Sequence, residues 1–320
     1  MTRHVARAPA TQRGAALLQA MLTVALVATF AAGAAWHQWR SIEVETAERG
    51  RMQTAWLLSG ALDWARLILR EDARSGGADH LSEPWAVALQ ESRLSSFIAS
   101  AQGVSSADLT DVPDAFLSGR ISDAQARLNL TNLASTRDDR EPAWGDFARL
   151  FELLGLSDAE LRLLTDGLRA ATDTRPESRG SAAPLMPTRV EQLTWLGLSV
   201  ATVRALAPHV VLLPVTTPLN LNTASAELIH AVEPKITLAD AQRLVSERDR
   251  DHLRSVAEAA QRLQLREASL NESRLSVSSR FFEVRGRLRV DQTVIEERSL
   301  VRRDGLDVRV VWRERVAQPS

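Results

Sequence analysis

The chain has 320 residues, 45% of them hydrophobic, so it can bury a substantial core in two or three folding units. Its 39 basic and 40 acidic residues nearly cancel, which disfavours nucleic acid or an acidic polymer as a partner. The absence of cysteine excludes disulfides, thiolate nucleophiles and thiolate metal sites, so packing must hold the scaffold.

A basic segment precedes a long apolar one at the N-terminus. The residues before Gly14 include Arg3, His4, Arg7 and Arg13. From Ala15 to Ala35 no ionisable side chain occurs. As a helix with a rise of about 1.5 Å per residue, this run spans roughly 30 Å, the thickness of a bilayer's hydrocarbon core. The pattern predicts a retained membrane anchor with a cytoplasmic N-terminus and an exported C-terminal bulk.

Two alternatives to an anchor stay open. An ordinary secretory signal peptide would be removed near Ala32 to Ala35, which would make the chain an exported soluble protein. A buried core helix is the second alternative. The length of the apolar run, and the helical pattern that continues beyond it, favour the anchor.

Helical patterning continues from Ile42 to Arg74. Apolar residues spaced three and four apart form one stripe, made of Ala55, Leu58, Leu62, Ala65 and Leu69. Gly76 and Gly77 are expected to end the helix, because glycine adopts the left-handed conformation common at helix C-termini. The sequence therefore predicts one long helix, first embedded in lipid and then packed on a protein domain.

An alternation of polar and apolar residues follows. The odd-numbered positions are polar: Asp123, Gln125, Arg127 and Asn129. The even-numbered positions are apolar: Ala124, Ala126, Leu128 and Leu130. This spacing predicts a half-buried strand. We interpret its polar residues as structural.

Short helices are predicted between Thr136 and Leu270. Three pairs have the capping-box spacing: Ser157 with Glu160, Thr188 with Glu191, and Ser255 with Glu258. Linkers at 174–187 and 208–218 divide these helices into two bundles.

The stretch from Leu219 to Ile229 resembles the opening of a helix-hairpin-helix or SAM-like unit, which also occurs in DNA-binding proteins. A DNA-binding hairpin presents glycine amides to phosphate, whereas Val232 to Thr237 has no glycine and contains Glu233. We interpret the mixed-sign run from Glu247 to His252 as a solvated helix end. A scaffold role is favoured, and a membrane-tethered DNA-binding module is the alternative.

The last forty or so residues change to a period of two. Val284, Gly286, Leu288 and Val290 alternate with arginines, and a similar alternation runs from Val308 to Arg313. With a strand at 293–302 and a turn at Asp304-Gly305, three antiparallel strands are predicted. They can complete a sheet begun near 116–130. The predicted class is α+β, with a long N-terminal helix on an antiparallel sheet and a large inserted helical region.

The N-terminal pattern resembles the class III leader of type IV pilins and pseudopilins. Arg13-Gly14 is followed by Ala-Ala-Leu-Leu and a hydrophobic helix. The resemblance implies cleavage by prepilin peptidase after Gly14 and N-methylation of Ala15. It also puts Gln19 at mature position five, where most of the superfamily has Glu, and this departure implies a subunit at the filament tip.

A second stretch narrows the family. Ser118-Gly119-Arg120-Ile121-Ser122-Asp123 and the polar residues after it resemble the signature of the minor pseudopilin K family, although Ala126 and Leu128 depart from its usual Gly and Phe. The resemblance implies a pseudopilin fold in a single-pass inner-membrane protein with a periplasmic domain. It further implies a tip complex with minor pseudopilins I and J, other pseudopilins and the inner-membrane assembly platform, which initiates and caps a pseudopilus for protein export.

The expected domain organisation follows from these features. It comprises a leader at 1–14, the N-terminal helix at 15–77 with its membrane part at 15–35, the first part of the pseudopilin domain at 78–135, two inserted helical subdomains at 136–218 and 219–275, and terminal strands at 276–320.

No sequence motif for catalysis is present: a Gly-rich phosphate loop, a G-x-S-x-G elbow and an H-E-x-x-H pair are all absent. We therefore expect a protein that is not an enzyme and requires no cofactor. His209 and His230 are more typical of surface or core histidines than of metal ligands. The family resemblance implies calcium, for which the candidate oxygen ligands are Asp138, Asp139, Glu141, Asp304 and Asp307. The sequence leaves the ligand set unknown.

Overall fold

The computed structural model describes residues 12–102, 115–134, 140–172, 184–265, 270–290 and 293–316. Leader residues 1–11 and most of the predicted linker at 174–187 lie outside these ranges. The chain divides into two compact units, Met1–Leu57 and Leu58–Ser320.

The described residues of the first unit, 12–57, are helical. Helix α1 runs Gln12–Ser75, so it begins in the first unit and ends in the second. Its early side chains are exposed, as Leu22 at 68% and Phe30 at 71% show. Within the described ranges it is the one helix long and apolar enough to cross a membrane. The predicted long apolar helix is confirmed.

The second unit combines a sheet with short helices. Its strands are β1 Leu89–Arg93, β2 Ala115–Asp123, β3 Leu128–Asn129, β4 Val210–Val211, β5 Leu219–Asn220, β6 Leu275–Ser276, β7 Phe281–Val290, β8 Thr293–Asp304 and β9 Asp307–Val316. Its further helices are α2 Leu94–Gln102, α3 Thr131–Ala134, α4 Arg140–Leu153, α5 Asp158–Thr172, α6 Val200–Leu206, α7 Ala226–Val232, α8 Leu238–Arg248 and α9 Val256–Arg262.

The main sheet is antiparallel and has the strand order β1-β2-β7-β8-β9. Strands β7, β8 and β9 confirm the predicted terminal strands, and a turn at Gly305 joins the last two. Strand β2 pairs with β7 along its whole length, from Ala115 with Val290 to Asp123 with Phe282. The helical middle is therefore an insertion between two neighbouring strands of one sheet, as predicted.

The second half of α1 covers one face of this sheet. Leu62, Ala65 and Leu69 of α1 are buried in one cluster with Trp85 and with strand residues Ile121, Phe282, Val284, Val301 and Val308. Burying a side chain of this size contributes roughly 1.5–3 kcal/mol, so the stripe predicted from spacing fixes this packing. The helix ends at Ser75, followed by Gly76 and Gly77 with φ of 69° and 116°.

The insertion has its own core and covers part of the opposite sheet face. Its buried residues form a single cluster that extends from Leu128 to Leu275. Val211 and Leu213 pack on Phe281 and Leu300 from the sheet, with Trp312 beside them. The two predicted bundles therefore share one core.

One strand prediction is wrong in part. Strand β2 ends at Asp123, and Ala124–Ala126 form a 3-10 turn that Asp123 caps by accepting a hydrogen bond from the Gln125 N–H. Asp123, Gln125 and Asn129 are all buried. They bond to segments distant in sequence, so their alternation came from buried polar contacts and a turn. Strand β1, helix α2 and the short parallel pairs β3–β4 and β5–β6 were not predicted.

The predicted helix starts had different outcomes. Ser255 is the N-cap of α9 and accepts from the Glu258 N–H at 3.1 Å, which confirms that start. Ser157 precedes α5, but the Glu160 carboxylate accepts from the Ser199 N–H instead of closing a capping box. The box at Thr188 is displaced by one residue, because Gln192 supplies the side-chain acceptor.

Candidate functional site

The residues implicated in processing lie at the start of α1. Gly14 and Ala15 belong to its first helical residues, and Gln19 follows on an exposed part of the same helix. The predicted cleavage and methylation of this segment stay predictions. The chemistry at Gln19 is nevertheless clear, because an amide side chain carries no charge to pair with an amine.

The surface of α1 beyond Gln19 is apolar. Large side chains more than half exposed are Met21, Leu22, Val24, Leu26, Val27 and Phe30. Trp36 and Trp39 follow, with ring centroids 5.5 Å apart. Monomeric soluble proteins rarely expose a continuous apolar surface of this kind, so lipid or protein must cover it. Tryptophans at the end of such a run match an interfacial aromatic belt.

A second candidate site is the polar junction, defined as Asp72, Asp79, Asp123, Asn220, Ser279 and Arg303. It lies where the insertion meets the sheet. Asp123 is its centre, since its Oδ2 accepts from Asn220 Nδ2 at 2.9 Å, Thr223 Oγ1 at 2.6 Å and Ser279 Oγ at 2.7 Å. Burial raises the Asp123 pKa and these hydrogen bonds oppose the rise.

Further polar residues of the sequence signature extend the same contact. Gln125 donates to the Pro218 carbonyl at 3.2 Å and accepts from the Arg280 N–H at 2.7 Å. Asn129 donates to the Val215 carbonyl at 2.7 Å. Gln125 thus joins the insertion to the backbone just before β7, whereas the bond of Asn129 holds two segments of the insertion together. Our interpretation of these residues as structural agrees with this geometry.

Arg303 completes the junction from β8. Its guanidinium donates to Asp72 Oδ2 and to Asp79 Oδ1, each at 2.5 Å, and to the Ser279 carbonyl at 2.9 Å. Asp79 is buried, and this desolvation raises its pKa although Arg303 lowers it. The last turn of α1 is thus bound to β8 through one cation. Sequence reasoning missed Asp79, Ser279 and Arg303, because they are far apart in the chain and match no motif.

Glu83 lies beside this junction. Its carboxylate accepts from the His80 N–H at 2.9 Å and from Trp85 Nε1 at 2.7 Å. The pKa of Glu83 is raised to about 7, chiefly by burial and in smaller part by a hydrogen bond with Asp72.

The structure offers no clear calcium site within its described residues. Asp72, Asp79 and Glu83 form the one group of three acidic or histidine ligands found there. Arg303 and Trp85 already occupy these carboxylates. Calcium needs about six to eight oxygen ligands, so this group does not fit the ion.

The predicted metal candidates are not brought together either. Asp304 and Asp307 pair with Arg302 at 2.7 Å and Arg309 at 2.5 Å. His230 Nδ1 contacts the Ile236 carbonyl at 2.6 Å, and His209 belongs to no described ligand group. Asp138 and Asp139 lie outside the described residues, as does the side chain of Glu141.

The segment that resembles the opening of a DNA-binding hairpin leads into helix α7, and helix α8 follows. Their connection buries Glu233, whose carboxylate accepts from the Lys235 N–H at 3.3 Å. The interpretation of Glu247 to His252 as solvated is wrong for Arg248, which is buried and donates to the Leu221 carbonyl. The buried Arg248 guanidinium is therefore not available to contact a phosphate group.

An apolar N-terminal helix, whose second half packs on an antiparallel sheet interrupted by a helical insertion, gives the chain a pseudopilin-type fold. Two family models described as "Type II secretion system (T2SS), protein K" match residues 126–215 and 219–278. Over these residues the chain is similar to the protein K family of the type II secretion system.

Individual relatives agree with this similarity. The chain is 28% identical to type II secretion system protein K of Pseudomonas aeruginosa, over 85% of this chain and 83% of that protein. It is 28% identical to the Klebsiella pneumoniae protein of the same name, over 94% and 96% of the two chains. In fold it is similar to a chain of the GspK-GspI-GspJ complex from enterotoxigenic Escherichia coli, with a TM-score of 0.66, 20% identity, and coverage of 85% of this chain and 99% of that one.

Proposed function

We propose that the chain is the minor pseudopilin at the tip of a type II secretion pseudopilus. There it would initiate and cap assembly for export of folded periplasmic proteins across the outer membrane. The observation that carries this proposal is the exposed apolar surface of α1 together with the neutral Gln19 near its start. A neutral side chain at this position does not need to pair with the terminal amine of a neighbouring subunit. A subunit at the tip of the filament lacks that neighbour.

The insertion supports a capping role through its bulk. It buries its own core and is fastened to one end of the sheet, so it is a rigid body. A rigid body beside the helix obstructs a further subunit by excluded volume. We propose that the insertion comprises two SAM-like or helix-hairpin-helix-like parts at 136–218 and 219–275, and that both act as scaffold.

Processing and topology follow from the same helix. Prepilin peptidase would cut between Gly14 and Ala15, and the helix would then remain in the inner membrane as a single span. Its arginine-rich N-terminal side would be cytoplasmic and the folded unit periplasmic.

The proposed partners come from the similarity in fold to a chain of the GspK-GspI-GspJ complex. We propose that this chain also joins minor pseudopilins I and J, other pseudopilins and the assembly platform, and that it works without catalysis. It would require no cofactor, and calcium binding stays a prediction.

The mature N-terminus tests this proposal. Mass analysis of protein from the membrane of a host with prepilin peptidase should find a chain that starts at N-methylated Ala15. Gly14→Val should retain the leader, whereas Gly33→Ala in the same helix should be processed normally. A mature start near Ala35 would reject the pseudopilin role.

Two further measurements separate the alternatives. Copurification of minor pseudopilins I and J with the wild-type chain is expected, and its absence would contradict the tip complex. Salt-dependent retention of the purified chain on DNA would instead support the DNA-binding module.

A further inference from the structure

The open sheet face is defined as the part of the face opposite α1 that the insertion does not cover. Phe282 and Val284 of β7 point to α1, so the alternating residues Glu283, Arg285, Arg287 and Arg289 point to the other face. The insertion packs on the Phe281 end of this face, and its Arg127 and Arg189 also form ion pairs with Glu283 at 3.1 Å and Glu314 at 2.5 Å. Beyond it, Arg120 and Arg287 are exposed.

The strand register brings like charges together on this face. Arg120 of β2 lies directly opposite Arg285 of β7, and Arg285 lies directly opposite Arg298 of β8. Like charges that face each other across neighbouring strands destabilise a sheet. Three adjacent strands thus carry a row of three arginines, whose mutual repulsion must be offset by neighbouring acids or by a bound anion.

The acids on the face neutralise only part of this charge. Glu283 pairs with Arg285 at 2.6 Å, and Glu314 with Arg298 at 2.7 Å. Glu91 pairs with Arg289, which also lies over the Phe116 ring at 4.1 Å. In the described residues no carboxylate forms an ion pair with Arg120 or Arg287, although Glu296 lies opposite Arg287 in the register.

A shallow groove of about 410 Å³ runs along these two free guanidinium groups. Its lining includes Arg120, Arg287, Glu91, Glu296 and the apolar side chain of Leu89. The closely spaced charges of a phosphodiester chain would be repelled by the two glutamates while the arginines attract them. Separate carboxylates on a protein can instead pair bidentately with each arginine and avoid the acids.

We propose that the open sheet face is a docking surface for a carboxylate-rich segment of a partner protein, bound chiefly by Arg120 and Arg287. This inference does not depend on the position of the chain in a pseudopilus, since it concerns the face opposite the assembly helix.

The test uses full-length protein in zwitterionic detergent and a fluorescein-labelled decaglutamate peptide as the probe. Fluorescence anisotropy at low salt should show binding that Arg120→Glu combined with Arg287→Glu weakens roughly tenfold or more. The matched control combines Arg162→Glu with Arg204→Glu, which makes the same charge change at exposed positions of the insertion. The control should lower affinity by about twofold or less.

A stability measurement separates lost binding from lost folding. Arg120→Glu places an acid opposite Arg285, so its melting temperature should rise by roughly 1–3 °C while its affinity falls. Equal loss of affinity in both charge variants would overturn the proposal, as would absence of binding. Tighter binding of oligothymidylate or of phosphatidylglycerol vesicles through the same two arginines would overturn the assignment to a protein partner.

Discussion

At the scale of single residues, buried polar groups decide how the sheet and the insertion are joined. Asp123, Asn220 and Ser279 are almost completely buried, yet each bonds the others. A buried group without a partner costs about 1–3 kcal/mol, whereas a satisfied network contributes a modest net gain. The network therefore penalises every arrangement other than the native one.

Glu83 should make stability depend on pH. Its folded-state pKa of about 7 lies above its ordinary value of 4.5, so the folded chain holds a proton that the unfolded chain releases. This contribution is complete below the unfolded pKa and is lost as pH rises through 7. Between about pH 5 and about pH 8, wild type should lose about 1–2 kcal/mol of unfolding free energy relative to Glu83→Gln, measured by urea titration.

The glutamine variant is informative because it stays neutral and can still accept the bonds from His80 and Trp85. The matched control is Glu71→Gln, at an exposed position paired with Arg74. The control should follow the wild-type pH dependence. Identical pH profiles of wild type and Glu83→Gln would show that Glu83 has an ordinary pKa.

The sequence alone indicated the residues at the predicted cleavage site but not the residues of the polar junction. Gly14, Ala15 and Gln19 are adjacent in sequence and form a local pattern. Asp123 and Asn220 are 97 positions apart, and their polarity gave no signal of mutual contact. The same residue type can be buried in one protein and solvated in another, so only the tertiary surroundings of a polar side chain show whether it is buried.

At the scale of elements, a pair of glycines sets the close packing of β2 on β7. Gly119 and Gly286 face each other in the register. A Cβ on Gly119 would approach the Arg285 carbonyl oxygen to 2.8 Å, and one on Gly286 would lie 3.4 Å from Leu58 Cδ2. The glycine of the sequence signature is therefore required by neighbouring backbone.

Gly119→Ala should destabilise the second unit. Because the clash is with backbone, strand β2 must shift, and the unfolding free energy should fall by about 1–3 kcal/mol in a urea titration. Gly60→Ala is the matched control, since nothing lies within 4 Å of that position in α1. It should gain about 0.5–1 kcal/mol from helix propensity. Equal stability of Gly119→Ala and wild type would contradict the register of β2 on β7.

Element types were predictable where the pattern was periodic. The stripe on α1 and the alternation in β7 each depend on one face being buried, which spacing reveals directly. The two-residue strands β3 to β6 have no period long enough to detect. The start of α5 after Ser157 was predicted correctly, but its capping box does not form because Glu160 bonds Ser199 and Thr202 of another segment. These bonds also lower the Glu160 pKa.

At the scale of the whole molecule, the second unit contains distinct apolar clusters joined by polar contacts. One cluster lies between α1 and the sheet, another fills the insertion, and a smaller one around Phe281 connects the two. The polar junction lies beside this smaller cluster. Apolar burial supplies most of the energy, while the junction fixes where the insertion sits.

Asn220→Ala should loosen this connection without unfolding the sheet. Asn220 Nδ2 donates to the Asp79 carbonyl, to Asp123 and to Ser279, and Asn220 Oδ1 accepts from the Asn222 N–H. Its loss removes these partners from the Asp79 carbonyl and the Asn222 N–H, and it weakens the bonding of Asp123. Hydrogen exchange followed by mass spectrometry should show faster exchange at β5 and β6. Exchange at the centre of β7 and β8 should not change.

The matched control is Asn271→Ala, at an exposed position where only the Ser273 N–H loses an acceptor. Its exchange at β5 and β6 should match wild type. A uniform increase across the sheet in Asn220→Ala would mean that the insertion and the sheet unfold as one cooperative body.

The sequence by itself determined the apolar helix, its end at Gly76, the terminal strands and the α+β class, because each depends on local spacing or on one buried face. Its resemblance to a family also gave the expectations at Gly14, Ala15 and Gln19. Only the tertiary structure decided that the alternation after Asp123 is a turn and a buried network, that Arg303 binds Asp72 and Asp79, and that three arginines align on one sheet face. Those features depend on contacts between residues distant in the chain, which no local pattern records.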